Sequence, residues 1–395
     1  MNKFAVALSA ILCCVSVYGQ NEIVGGGIVV NYSPAASGKY IGSPSICVLP
    51  DGTYIAANDF FGPKSREKQG GAITEVFASE DRGITWHKTA KIEGQFWSTL
   101  FTIDNELYLL GTRSGHSDIL IRKSVDNGKT WTKPENSKCG LLFQGEYHTA
   151  PVPVVIYNGR VWRAYENAAS KTSDKWPEIY SAFVISAPLG SNLLDAANWR
   201  MSKCLPSSKP QLGRRFRGWL EGNVVYDVAK GSLVDILRVH SPFTDKEYAA
   251  ILDINKKGTK LTFNPKKAFV KMPGGSKKFT VRYDVKSQRY WSLVNHTDDR
   301  LKDIQADRVR NTLALVSSPD LVHWYINEIL IDHPDPIKHG FQYVDWQFDG
   351  DDIIYLVRTA YDDDKGGADN YHNANYLTFH RKENFRNVKT DILYE

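Results

Sequence analysis

Apolar residues in this chain fall into short runs separated by tight polar turns, with almost none of the 3.6-residue spacing of an amphipathic helix. Residues 46–49 and 54–57 flank Asp51-Gly52, 99–103 and 107–110 flank Asp104-Asn105, and 152–157 and 160–164 flank Asn158-Gly159. Further on, 223–226 faces 233–237 across Lys230-Gly231, 280–283 faces 290–294 across Ser287-Gln288, and 343–348 faces 353–357 across Asp349-Gly350. Paired β-forming runs around such turns read as antiparallel hairpins. The turn positions 52, 105, 159, 231, 288 and 350 are spaced by 53, 54, 72, 57 and 62 residues, a drifting period of one four-stranded sheet each. That period predicts an all-β fold, a single β-propeller whose blades are built on these six inner hairpins. A seventh blade is assembled from residues 23–32 and 388–394, so that the two ends of the chain join in one sheet and close the ring.

A second pattern falls where the third and fourth strands of a blade should meet. Ser79-Glu80-Asp81-Arg82-Gly83-Ile84-Thr85-Trp86 repeats as Ser124-Val125-Asp126-Asn127-Gly128-Lys129-Thr130-Trp131, then in shortened form as Ser318-Pro319-Asp320-Leu321-Val322-His323-Trp324, with Asp195-Ala196-Ala197-Asn198-Trp199 as a worn fourth copy. In such a turn Asp accepts from backbone N–H groups, Gly takes a positive φ, and Trp packs beneath. The repeats resemble the Asp-box of sialidase-like propellers. The box is structural, so it names a fold without locating a site.

Composition narrows the setting. Lys3 followed by an apolar run over 4–17 and the small residues near Gly19 reads as a signal peptide over 1–19, leaving a propeller domain over 20–395 and an exported, periplasmic or extracellular protein. Removing the leader takes Cys13 and Cys14 and leaves Cys47, Cys139 and Cys204, an odd number without zinc spacing. No later segment is apolar and long enough to span a bilayer. A net charge of +5 is too small and dispersed for a nucleic-acid footprint, and it suits an anionic ligand as well as a soluble monomer. Ten Trp and 20 Tyr are enough for both a core and sugar-stacking surfaces.

Topology sorts the polar residues. If the Asp-boxes mark one face, the starts of first strands and the ends of second strands gather around the axis at the other. That mouth collects Asn58 and Asp59; Trp97, Arg113 and His116; His148, Tyr165 and Glu166; Trp219, Glu221, Arg238 and His240; Arg282, Tyr283, Asn295 and His296; and His339, Gln342, Tyr343, Asp345, Arg358 and Tyr361. Arg, His and Tyr converging on one funnel suit a carboxylated sugar. Any one Arg at a strand end is more often a rim ion pair, and Tyr165 and Tyr283 also suit capping of the central channel. Collectively, burying so many polar groups without a ligand or water would be costly.

A sialidase needs an arginine triad, a Tyr nucleophile with a Glu partner, and an Asp acid, the first Arg lying in a Tyr/Phe-Arg-Ile-Pro motif. Here that place reads Tyr40-Ile41-Gly42-Ser43-Pro44-Ser45-Ile46 and lacks the arginine, so an exo-α-sialidase is kept as an alternative. Gly42-Ser43-Pro44-Ser45-Ile46, Asn58-Asp59-Phe60-Phe61-Gly62-Pro63, the stretch 339–348 and the stretch 370–381 are similar to glycoside hydrolase family 145 and the related rhamnose–glucuronate lyases. That resemblance implies seven blades and removal of terminal rhamnose from rhamnosyl-α-1,4-glucuronate ends of an anionic, gum-arabic-type polysaccharide. It also implies a catalytic His where this chain has Asn58, which cannot exchange a proton near neutral pH; a catalytically silent glycan binder is therefore the other reading. For elimination, Arg217, Arg238 or Arg358 would neutralise the uronate, and His148, Tyr165 or Tyr283 would move protons. Trp219, Glu221, His296, Gln342 and Tyr361, with Asn58, would bind substrate. Hydrolysis would draw on Glu166, Glu221 and Asp345. No cofactor is called for, and His339 is a candidate ligand for a structural divalent cation.

Overall fold

A computed structural model describes residues 22–169, 173–207, 212–242, 244–388 and 390–395; the leader reading lies outside these residues. All six expected hairpins form, each as an antiparallel pair closed by the expected turn. They are numbered hairpins 1 to 6 below. Helix is confined to single 3₁₀ turns, and none of the described helices is long or apolar enough to cross a membrane.

The strands make four five-stranded sheets and one of nine. The nine-stranded sheet holds hairpins 2 and 3, because Leu141–His148 pairs with Ser117–Ser124 on one side and, through Tyr147 and His148, with Arg160–Asn167 on the other. Residues 340–382 supply only three strands to the sheet of hairpin 6. The fourth is Gly27–Tyr32, which pairs with Tyr376–Lys382 in the register Ile28 to Phe379 and Tyr32 to Tyr376. The expected seventh blade does not form. The C-terminal Ile392–Leu393 pairs instead with Tyr325–Asp332 in the neighbouring sheet, so the chain ends lie in two sheets. The N-terminal strand completes the sheet of hairpin 6 without the C-terminal partner expected for it.

Between sheets the core is aromatic and aliphatic. Trp346, Trp291, Trp324 and Trp219 are fully buried, and the Trp346 indole donates to the Thr280 carbonyl at 2.9 Å, tying hairpin 6 to hairpin 5. Each such side chain contributes about 2–3 kcal/mol of apolar burial.

The Asp-boxes take the expected form. Asp126 accepts the Thr130 backbone N–H at 2.8 Å and the Thr130 hydroxyl at 2.6 Å, Gly128 donates to Ser124 Oγ at 3.0 Å, and Trp131 donates back to the Gly128 carbonyl at 3.0 Å. Ser79 to Trp86 repeats the set, and Asp195 caps the turn Ala196–Asn198. Gly83 has φ +91°, and a Cβ there would collide with the Phe379 ring. Asn127 reaches Asp51 of hairpin 1 at 3.0 Å, and Arg82 reaches Asp349 of hairpin 6 at 2.9 Å. The boxes and the inner-hairpin turns therefore share one face, which leaves the loops between second and third strands at the other.

Candidate active site

Three of the six first strands are interrupted at their starts. The pairing register shifts between Phe96 and Thr99, between Leu220 and Asn223, and between Gln342 and Asp345. Inside these bulges Trp97, Glu221 and Tyr343 adopt φ of +46°, +58° and +56°. A bulky residue held left-handed costs on the order of 1–3 kcal/mol, and such strain gathers where a side chain must be aimed rather than packed. All three line one cavity of 580 Å³ at the mouth opposite the Asp-boxes, with Asp59, His116, His148, Arg358 and His372.

One side of this cavity is ionic. Glu221, fully buried, pairs with Arg238 at 3.0 Å through one oxygen and accepts the Tyr343 hydroxyl at 3.0 Å through the other. Burial works to raise the Glu221 pKa, but the Arg238 and His148 charges and the two hydrogen bonds outweigh it and hold it below the ordinary value. The Arg358 guanidinium lies 4.8 Å from the Tyr343 ring centroid and 4.2 Å from that of Phe61, and Arg310 lies 5.7 Å from Tyr343. Arg310 is held by the Gln342 side chain and the Asp307 carbonyl, and Arg358 by the His372 carbonyl at 2.5 Å. Burial lowers both arginines, Arg358 to about 10, which still leaves Arg358 charged at neutral pH. The buried Arg358 Nε has no partner among the described residues.

Asp59 faces these groups from hairpin 1. It accepts the backbone N–H of Ser43 at 2.7 Å and of Trp97 at 2.7 Å, and burial nevertheless pushes its pKa up to about 6 against those bonds and the Arg358 charge. Its carboxylate occupies the space a Cβ at Gly42 would need, so position 42 admits no side chain while Asp59 is so placed.

The other side is aromatic and imidazole. His148 Nδ1 lies 2.8 Å from the fully buried Glu166, whose second oxygen accepts the Gly222 N–H at 3.1 Å. Tyr180 stacks on His148 with centroids 4.4 Å apart, Trp97 meets it edge-on at 4.5 Å, and His116 Nε2 lies 2.9 Å from the Tyr180 hydroxyl.

Of the expected site residues, the structure brings His148, Glu221 and Arg358 into the cavity, with Arg238 behind Glu221 and Gln342 behind Arg310. The others are elsewhere. Asn58 is fully buried in the sheet, accepting from Asn31 at 3.0 Å and donating to the Asp59 carbonyl at 2.9 Å, because alternation along the strand turns it away from the mouth that Asp59 faces. Tyr165 lies under the floor, its hydroxyl bonded to the axial Arg163 at 2.8 Å. Trp219 packs in the core against Phe216 and Phe263. Tyr283 sits on a strand of only four residues, Val281–Asp284, and therefore at its turn end, against Tyr290. Arg217 is exposed outside the cavity, with its backbone N–H on the His240 carbonyl. His296 lines a separate 790 Å³ cleft beside the C-terminal tail, where no tyrosine–carboxylate pair like Tyr343–Glu221 is found among the described residues. Tyr361 packs on His339 and Phe341. His339 lies between Asp335 at 3.0 Å and Asp362 at 3.3 Å and stacks on His333 at 3.6 Å; no group of three potential ligands among the described residues is arranged to hold a metal ion.

Sequence reasoning passed over Asp59 and Tyr343, which it had placed at the mouth without a role, and did not reach Arg310, Tyr180, Trp176 or His372. The last four come from loops between second and third strands. The signal that could have found them is that these loops must return to the mouth by strand alternation.

No family model and no curated protein matches the chain. Solved structures do match its fold. A Penicillium chrysogenum α-L-arabinanase complexed with arabinobiose superposes with a TM-score of 0.55 at 13% identity, over 92% of this chain and 98% of that one. A Fusarium graminearum family GH93 α-L-arabinofuranosidase with arabinobiose gives 0.57 at 13% identity, over 92% and 98%. A Hadza microbial sialidase gives 0.59 at 13% identity, over 92% and 69%. The chain thus has the sialidase-like β-propeller fold.

Proposed function

We propose that the protein is an exo-acting glycoside hydrolase for a terminal sugar acid, with Tyr343 as nucleophile, Glu221 as its base and Asp59 as general acid. The observation that carries this reading is the Tyr343–Glu221 hydrogen bond of 3.0 Å in a cavity that also holds Asp59, with its pKa near 6. Asp59 protonates the leaving oxygen while Tyr343 attacks the anomeric carbon and passes its proton to Glu221; water then releases the sugar from the tyrosyl intermediate, with Asp59 as base. A neutral phenol suits an anomeric carbon that bears a carboxylate, since an anionic nucleophile would be repelled by it. Arg238 is committed to Glu221 and the Ser276 carbonyl, so Arg358, which lines the cavity with its Nε unpartnered among the described residues, is the guanidinium that takes the sugar carboxylate, with Arg310 beside Tyr343 in support. Arg358 reaches from hairpin 6 over Phe61 of hairpin 1, supplying the charge that hairpin 1 lacks at Gly42. The solved neighbours' printed activities, arabinanase, arabinofuranosidase and sialidase, agree with a carbohydrate substrate.

A second reading, removal of terminal rhamnose from a rhamnosyl-glucuronate end by elimination, is favoured by the His148–Glu166 pair, which could take the C5 proton while Arg310 and Arg358 neutralise the uronate. Asn58 no longer argues for a silent binder, because it lies outside the cavity. The deciding experiment offers purified protein 4-methylumbelliferyl ketosides of 2-keto-3-deoxy sugar acids and, separately, gum arabic. The hydrolase reading expects fluorophore release that falls at least about 10³-fold in Tyr343→Phe. Release untouched by that change would sink it, and free rhamnose with new absorbance near 235 nm would establish the elimination instead.

A further inference from the structure

The cavity is divided, and its second half has no role in the hydrolysis proposed above. Beside the ionic half, the wall made by hairpins 2 and 3 carries Trp97, His116, His148, Tyr180 and Trp176, with Lys68 only at its exposed edge. The polar groups of this wall are pre-set. Glu166 engages His148 Nδ1, which fixes the ring and leaves Nε2 as the nitrogen available to the cavity. Glu166 is itself held by the Gly222 N–H, and Tyr180 and Trp97 pack both sides of the imidazole. Burial first, then the charges of His148 and Lys68, bring His116 down to a pKa of about 4, so it is neutral near pH 7, and its Nε2 shares a hydrogen bond with the Tyr180 hydroxyl. At the mouth Trp176 is 49% exposed, and its ring is backed by Arg238 at 5.8 Å and His240 at 4.9 Å. A half-exposed indole fixed from behind, above one oriented imidazole nitrogen, is what a pyranose ring needs: an apolar face to stack on and a partner for a hydroxyl.

The geometry points to this wall as the leaving-group subsite, built for a neutral hexose: Trp176 stacks the sugar, and His148, positioned by Glu166, hydrogen-bonds one of its hydroxyls. The inference deepens the hydrolase reading and rests on it. It ranks a neutral leaving group above an anionic one, because the lining of that half offers no guanidinium and only Lys68, at its exposed edge. Glu166 acts through His148 and is a positioning residue.

The test compares three glycosides of one sugar acid, linked to methylumbelliferone, to galactose, and to a second copy of the acid, in wild type, His148→Ala and Trp176→Ala. Expected is that wild type prefers the galactoside over the acid-linked dimer by about tenfold or more in kcat/KM. Each variant should lose about tenfold or more on the galactoside, and Trp176→Ala less than about threefold on the fluorogenic glycoside, whose leaving group needs no help. Equal losses on both, or a preference for the dimer, overturn the subsite while leaving the hydrolase reading intact. Calorimetric titration with lactose tests the subsite without turnover. Heat of binding in wild type that disappears in Trp176→Ala supports it even if every glycoside proves inert, in which case it is the hydrolase reading that fails; no binding in wild type overturns the subsite. Trp176 is half-exposed, so its truncation keeps the test readable even where His148→Ala disturbs folding, and Glu166→Gln should reproduce the selective loss in milder form.

Discussion

Aspartates on the two faces of the propeller behave in opposite ways. On the turn face, Asp126 serves Ser124 and Thr130 within its own box, and those Thr130 bonds hold its carboxyl below the ordinary value; for Asp81 burial pulls the other way and the Thr85 bonds win. At the mouth, Asp59 is bonded to Ser43 and Trp97, 16 and 38 residues away, and burial carries it up to about 6. Asp235, beneath Gly222, has neither oxygen paired among the described residues, and burial and then the Glu166 charge push it well above the ordinary value. A carboxylate satisfied by its neighbours in sequence stays ionised and does structural work. Asp59, buried and hydrogen-bonded only by backbone N–H groups of distant strands, is left ready to hold a proton.

The contrast can be broken most severely at Asp59. Asp59→Asn should lower kcat/KM on a natural, poorly leaving glycoside by about 10³-fold, and far less on the fluorogenic one. In wild type the acid must be protonated, so activity should decline as pH rises through about 6, and that limb should vanish in the variant; a limb unchanged in Asp59→Asn would remove the acid role. The same raised pKa stabilises the folded state fully below the ordinary carboxylate value and loses that contribution as pH climbs to about 6, readable as a fall in Tm over that window. Next in size, Arg310→Ala should cost about 10²-fold in kcat/KM, and the loss should extend to inhibition by the free sugar acid, since the same carboxylate contact is removed. Smallest, Asp126→Ala should cost about 1 kcal/mol in denaturant unfolding and leave kcat unchanged. A drop in kcat there would mean the two faces are coupled.

The same division explains what was legible from sequence. The hairpins around Asp51-Gly52 and Asn158-Gly159, and the Asp-boxes, are local features, set by residues adjacent in the chain, and every inner hairpin formed where turn chemistry placed it. The extra blade failed because the partner of Gly27–Tyr32 is chosen by ring closure, which no local pattern encodes. At the mouth, sorting by strand starts and ends grouped His148, Glu221 and Arg358, and all three line the cavity. It misjudged Asn58 against Asp59, one residue apart, since a shift of one reverses the face. It could not foresee the bulges at Trp97, Glu221 and Tyr343, where the ladder is broken to aim a side chain. Nor could it see that Arg310 would be pinned by Gln342 from another sheet.

Pairing of Gly27–Tyr32 with Tyr376–Lys382 has a consequence in time. As the chain is synthesised, Gly27–Tyr32 pairs only with the two-residue strand Ile23–Val24 until Tyr376–Lys382 has emerged, so through that interval its other β-edge must be shielded from other edges. Joining residues some 350 positions apart is also an entropically expensive contact, which makes the final ring closure the step expected to set the pace of folding.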